Sequence, residues 1–121
     1  MMPKNVDART AAQMHEDGAL LVDIRETGEL ARVRIPGAHH HALSRLESGE
    51  LPLGEGQAVV FFCAGGNRTA MNASRLAAKA NGAPAYIMEG GISSWHQSGL
   101  PVEMGKSAEQ SAGIFSRLFG G

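Results

Sequence analysis

Val59-Val60-Phe61-Phe62-Cys63-Ala64-Gly65-Gly66-Asn67-Arg68-Thr69 decides the reading of this chain. An apolar run of β-branched and aromatic residues leads to the only cysteine. A short loop with two glycines follows, then an arginine, then an alanine-rich segment. The run reads as a strand buried on both faces, because it never alternates with polar residues. The segment after the loop carries Ala73, Leu76, Ala77 and Ala80 at i, i+3, i+4 and i+7, which predicts one amphipathic helix stopping at Asn81-Gly82. Strand, loop and helix in that order bring backbone N–H groups and a helix's positive end toward one thiol. That setting favours the thiolate, which is the nucleophilic form.

The same β-then-α order recurs on either side. Asp7 suits the cap of a helix with Ala8, Ala11 and Ala12 on one face, and Gly18 suits its stop. Ala19 to Val22 reads as a second buried strand, with the polar Asp23 and Arg25 at its carboxyl end. A helical turn from about Thr27 to Ala31 comes next. Ile35-Pro36-Gly37-Ala38 then has the chemistry of a type II turn. Leu43 to Ser48 reads as a short helix and Gly54-Glu55-Gly56 as a break. Tyr86 to Met88 reads as a further strand, and a last helix containing Trp95 runs from Gly90-Gly91 to Gly99. Such alternation predicts an α/β domain with a mostly parallel sheet and helices on both faces. In such sheets sites form beyond the carboxyl ends of strands, where Asp23 and Cys63 both fall.

Composition bounds the function. The chain has 121 residues, 43% hydrophobic and 19% charged, with a net charge of -1. That length suits one domain, and that charge provides no basic field for nucleic acid or an anionic membrane. One cysteine rules out an internal disulfide or a Cys-rich zinc site. Met1 to Asn5 contains no apolar leader core, and no apolar run approaches the ~18–20 residues of a membrane span. A cytoplasmic protein is the expectation. His39-His40-His41 invites a metal, but neighbours in an extended segment point in alternating directions, so a solvated loop and no metal are expected. No cofactor is expected either.

A lone cysteine on an apolar strand is ordinarily a small buried hydrophobe. The flanking residues argue otherwise. Gly65 and Gly66 suit a backbone that curls inward, Arg68 adds a permanent cation, and Thr69 stands where an N-cap hydroxyl belongs. The loop from Cys63 to Thr69 resembles the active-site loop of rhodanese-type sulfurtransferases, commonly Cys-x-x-Gly-x-Arg-Ser/Thr. Leu21-Val22-Asp23-Ile24-Arg25-Glu26, with Glu29 and Ile35-Pro36-Gly37-Ala38, resembles that family's N-terminal signature. Gly90-Gly91-Ile92-Ser93-Ser94-Trp95, ending at Gly99-Leu100-Pro101-Val102, resembles its C-terminal one. The likeness covers residues 5–103 and departs where relatives carry Gly-His before the turn, a pair that here is Val33-Arg34.

The resemblance implies a rhodanese-like five-stranded sheet and a two-step sulfur transfer. Cys63 would take sulfane sulfur from a donor such as thiosulfate or a persulfide, then pass it to a thiol or cyanide. A protein could also serve as the acceptor. Ala64, Gly65, Gly66, Asn67, Arg68 and Thr69 would form the loop that binds the anionic persulfide through inward N–H groups. Arg68 would bind the incoming anion or brace the loop. The loop holds one basic residue where some thiosulfate-using relatives hold more, which counts against thiosulfate as the physiological donor. Asp23 and Arg25 are expected to form a supporting ion-pair network, not to act as acid or base.

Two other function classes compete. A rhodanese-like domain can serve as a non-enzymatic regulatory or docking module, although the complete loop with its cysteine argues against that. Phosphatase or arsenate reductase chemistry on a related fold usually needs Cys-x5-Arg, and here only four residues separate Cys63 from Arg68. Residues 104–121 read as an appendage. A capping-box pattern at Ser107-Ala108-Glu109-Gln110 precedes Ile114, Phe115, Leu118 and Phe119, which share a face if helical. Packing on its own domain or a dimer mate, docking to a partner, and peripheral membrane contact are the readings of this tail.

Overall fold

The structure, a computed structural model, describes residues 1–105. The tail expectations for residues 106–121 lie outside them. The elements run β1 (Lys4–Val6), α1 (Ala8–Glu16), β2 (Leu20–Asp23), α2 (Thr27–Leu30), β3 (Val33–Arg34), β4 (His39–His40) and a 3-10 turn at Leu43–Arg45. Then come β5 (Val59–Phe62), α3 (Asn67–Met71), α4 (Ala73–Ala80), β6 (Ala85–Met88), α5 (Gly91–Gln97) and β7 (Glu103–Met104). Five strands pair in parallel in the order β1-β6-β5-β2-β4, and β3 pairs antiparallel with β7 in a separate ribbon. This is the expected α/β architecture.

The two central strands follow from their sequences. Every residue of β5 is buried, and Leu21 and Val22 of β2 have no exposed surface. Strand alternation divides them between two cores. Leu21, Val60 and Phe62 pack with Ala8 and Ala11 of α1 and with Ile92 and Trp95 of α5. Val22, Val59 and Phe61 pack on the other face with Leu76 and Ala80 of α4, joined there by Cys63. Full burial of such a side chain contributes ~1.5–3 kcal/mol, so these layers dominate the stability. Trp95 belongs to the core as expected, 4% exposed, and its indole N–H donates to the Pro101 carbonyl at 2.7 Å.

Several details differ from the sequence reading. The helix after the cysteine loop is broken at Asn72, giving α3 and α4. The Asn72 side-chain amide donates to the Arg68 carbonyl at 2.8 Å and its Oδ1 accepts from Arg75, so the asparagine competes for helical backbone partners. His39-His40 is an edge strand, β4, and not a solvated loop; it pairs with Val22 and Asp23, and all three histidines are half-buried. The expected boundary after residue 103 falls inside β7. The Gly105 N–H extends that pairing to the Arg32 carbonyl at 2.9 Å. No helix among the described residues is long and apolar enough to cross a membrane.

Candidate active site

Cys63 follows the last residue of β5, at the carboxyl end of the sheet's middle strand. It is 1% exposed, so its sulfur lies at the floor of the loop that follows. The chain turns at Gly66, which has φ +99° and occupies the N-cap position of α3. There Gly66 donates its N–H to Cys63 Sγ at 3.2 Å. A Cβ at Gly66 would come within 3.1 Å of the Gly90 nitrogen, besides being strained at that φ. Gly65 is different: its φ is not positive, and a Cβ there would meet nothing within 4 Å. One glycine makes the curl, not two.

Thr69 is not the helix cap that its position suggested. Gly66 takes that place because the left-handed backbone conformation falls there, three residues earlier. Thr69 lies inside the first turn of α3, fully buried, and its Oγ1 sits between two partners. Its one hydrogen reaches the Gly66 carbonyl at 3.0 Å, or turns to Cys63 Sγ at 3.7 Å when the sulfur is anionic. Burial is the largest single influence on the thiol and pushes its pKa up. The Thr69 N–H, the Thr69 hydroxyl and the N–H groups of Gly66 and Arg68 act the other way and outweigh it. The net effect holds the Cys63 thiol below its ordinary value.

The loop's carbonyls are held from behind. The Ile92 N–H donates to the Cys63 carbonyl at 2.9 Å and the Ser93 N–H to the Ala64 carbonyl at 3.0 Å. Both donors lie in the first turn of α5, whose first residue is Gly91 at φ +56°. A Cβ on Gly91 would overlap the Cys63 carbonyl oxygen and the Ala64 carbonyl group. Gly91 read from sequence only as a helix start, yet the close approach of α5 to the loop depends on it. Ala64 is half-buried, while Gly65 and Asn67 are exposed on the outer side of the loop.

Arg68 projects from α3 to Glu29, with Nη1 and Nη2 each 2.8 Å from a carboxylate oxygen. This two-pronged contact is the favoured guanidinium–carboxylate geometry. Glu29 is itself fixed, since its Oε2 accepts the Glu26 N–H at 2.8 Å within a capping box on α2. The Arg68 hydrogen bonds, opposed by partial burial, bring the Glu29 pKa down to about 2, and Arg25 contributes in the same direction. Arg68 is held above its ordinary value chiefly by Glu29, with the Cys63 sulfur contributing. Glu29 was visible as part of a signature but not as the partner of Arg68, 39 residues away.

Asp23 and Arg25 form a buried pair, with Arg25 Nη2 2.8 Å from Asp23 Oδ2 and their side chains 2% and 3% exposed. Arg25 also donates to the Val33 carbonyl at 2.8 Å, tying β2 to the β3 ribbon. In turn the Arg25 carbonyl partners His40 Nε2 at 2.6 Å. The structure therefore brings Cys63, Gly66, Arg68 and Thr69 into one cradle. Glu29 stands behind Arg68, and the Asp23–Arg25 pair lies in the next strand's extension.

The fold and the cysteine cradle define a class, and comparison with known proteins agrees with it. The model of the rhodanese-like domain matches residues 7–98. The chain belongs to the rhodanese-like domain family. An uncharacterized protein of Synechocystis sp. is 36% identical over 102 residues, covering 83% of this chain and 56% of that protein. This chain thus spans little more than half the length of that relative. Among solved structures, a rhodanese-related protein from Thermoplasma volcanium superposes with TM-score 0.71 at 27% identity, over 83% of this chain and 97% of the other. A Rhodopseudomonas palustris protein of unknown function, named as a possible tyrosine phosphatase, gives TM-score 0.69 at 29% identity, over 84% and 85%.

Proposed function

We propose that this protein is a sulfurtransferase that carries sulfane sulfur as a persulfide on Cys63. The observation that supports it most is the set of donors around one buried sulfur. Gly66 N–H stands 3.2 Å from Sγ, and the Thr69 hydroxyl 3.7 Å from it, at the end of the sheet's middle strand. Donors fixed in advance stabilise an anion without reorganising when it forms. The same donors serve the thiolate before loading and the anionic persulfide after it.

In the first step the Cys63 thiolate attacks the outer sulfur of a donor. A new S–S bond forms and the donor's S–S bond breaks. Thiosulfate would leave as sulfite, or a persulfide as its parent thiol. In the second step an acceptor nucleophile, cyanide or a thiolate, attacks the outer sulfur of the Cys63 persulfide. That sulfur leaves as thiocyanate or as a new persulfide, and the Cys63 thiolate is regenerated. Charge balances in both steps, and neither the electron count nor the proton count needs a cofactor. Arg68 and Glu29 brace the loop in the resting protein. The Asp23–Arg25 pair supports the neighbouring strand end and takes no part in proton transfer, because each charge is satisfied by the other.

The name of the Rhodopseudomonas protein raises phosphoryl chemistry. Two features favour sulfur here. Four residues separate Cys63 from Arg68, and the arginine turns to Glu29 instead of to an oxyanion over the loop. The test is mass spectrometry of the protein after treatment with thiosulfate or with an alkyl persulfide. The expected result is one added sulfur on the peptide containing Cys63, removed by cyanide and absent in Cys63→Ser. No added sulfur from either donor would overturn the proposal.

A further inference from the structure

We propose that Glu29 selects donors by charge, so that the cradle loads sulfur from persulfides of low net charge in preference to a dianion such as thiosulfate. This rests on the sulfurtransferase reading of Cys63 and names the donor class for that site.

The cradle's own cation is Arg68, the one charged side chain between Cys63 and Thr69. A free guanidinium on the first turn of α3 would attract any anion approaching the sulfur. It is not free. Both of its terminal nitrogens are 2.8 Å from Glu29 oxygens. Nor can the carboxylate swing aside without cost, since Oε2 also accepts the Glu26 N–H and closes the capping box of α2. The two side chains are similarly half-buried, 34% and 36% exposed, so the neutralised pair lies at the protein–water boundary, close enough to Cys63 for the sulfur to act on the Arg68 charge. The pair as a whole contributes no net charge. A dianion gains little Coulomb attraction there and still loses hydration as it nears a cysteine 1% exposed.

A persulfide meets a different balance. The Cys63 thiolate attacks its outer sulfur as R–S–SH; the new S–S bond forms as the donor's S–S bond breaks, and the proton of the donor's S–H passes to the departing R–S⁻, giving R–SH. It brings no second charge to desolvate. The amides of Gly66, Arg68 and Thr69 then hold the one negative charge that remains on the cysteine. Such donors are the products of reactions that place sulfur on thiols, including other persulfide-carrying enzymes and low-molecular-weight thiols.

Glu29→Gln removes the charge and preserves the shape, because glutamine also serves at this position of a capping box. The experiment compares kcat/KM for loading Cys63 from thiosulfate and from cysteamine persulfide, whose ammonium offsets its sulfur charge. Both donors are run with wild type and with Glu29→Gln, at low and at high salt. The expected outcome is a shift of the donor ratio toward thiosulfate by about tenfold in the variant, the scale of one unpaired cation acting on a dianion a few ångströms away in a watery setting. The shift should come mainly through KM and shrink at ~1 M salt, where the screening length is about 3 Å. A brace without a selective role would move both donors together and leave the ratio unchanged, which would overturn the inference. Loading of wild type by neither donor would instead defeat the sulfurtransferase reading and this inference with it.

Discussion

Thr69→Val isolates the one hydroxyl in the cradle. Valine has nearly the same shape, and residue 69 is fully buried, so core contacts are kept while Oγ1 is lost. Three consequences can be worked from the geometry. The Gly66 carbonyl is not orphaned, because the Ala70 N–H still reaches it at 3.1 Å. The stability cost is therefore that of one net hydrogen bond, about 1 kcal/mol, or a fall of about 4 °C in Tm for a domain of this size. The Cys63 thiolate loses the hydroxyl at 3.7 Å whose one hydrogen can turn from the Gly66 carbonyl to it, and retains the Gly66 N–H at 3.2 Å. Losing about 1 kcal/mol of anion stabilisation lowers the thiolate population at neutral pH by about fivefold. Burial, already the largest influence on this thiol and opposed to ionisation, then meets weaker opposition. Alkylation by iodoacetamide as a function of pH should show a midpoint moved upward and a neutral-pH rate reduced by about that factor. An alkylation profile identical to wild type would show that the hydroxyl faces only the Gly66 carbonyl and does nothing for the sulfur.

Gly91→Ala should displace α5 from the loop, since its Cβ would overlap the Cys63 and Ala64 carbonyls. Denaturation should show a loss of about 2–4 kcal/mol, and mass spectrometry should show reduced sulfur loading. The Glu29–Arg68 pair predicts an acid-side pH dependence. Glu29 is depressed from 4.5 to about 2, so its contribution is complete above pH 4.5, declines below it, and is gone once pH falls through about 2. The Tm difference between wild type and Glu29→Gln, followed through that window, should shrink toward acid. Removing residues 106–121 leaves β7 and the Gly105 contact to Arg32 in place and deletes no residue of the cradle. The shortened protein should load sulfur at the full-length rate, and its oligomeric state by light scattering reports whether the tail mediates association.

How much of this was legible in the sequence depended on how many neighbours each segment has. Strands β2 and β5 lie inside the sheet with both faces covered, and their apolar runs, Leu20 to Val22 and Val59 to Phe62, announced them. Strands β1 and β4 pair with one neighbour each and are two or three residues long. Lys4-Asn5 and His39-His40 are polar, Val6 alone packs against the core, and no periodicity marks these strands. The break at Asn72 escaped for another reason. Ala73 to Ala80 kept helical spacing straight through, while the signal was a side-chain amide able to take a backbone carbonyl. Asparagine two residues before a serine–arginine pair was the available cue, and the alanine stripe concealed it.

The cradle divides in the same way. Cys63, Gly66, Arg68 and Thr69 lie within seven residues, and local chain chemistry was enough to group them. Their partners come from elsewhere. Glu29 reaches Arg68 from α2, and the N–H groups of Ile92 and Ser93 reach the loop's carbonyls from α5. Neither contact leaves a local trace, because each depends on the parallel order that puts β2 and β6 on either side of β5. That order also bears on how a cysteine 1% exposed would serve the proposed chemistry. Burial alone would keep the thiol protonated. The loop reverses the balance only while its amides point at the sulfur, and that direction is set by carbonyls turned the other way, toward α5. Substitution of Gly91 should therefore weaken the thiolate without touching any group that contacts it.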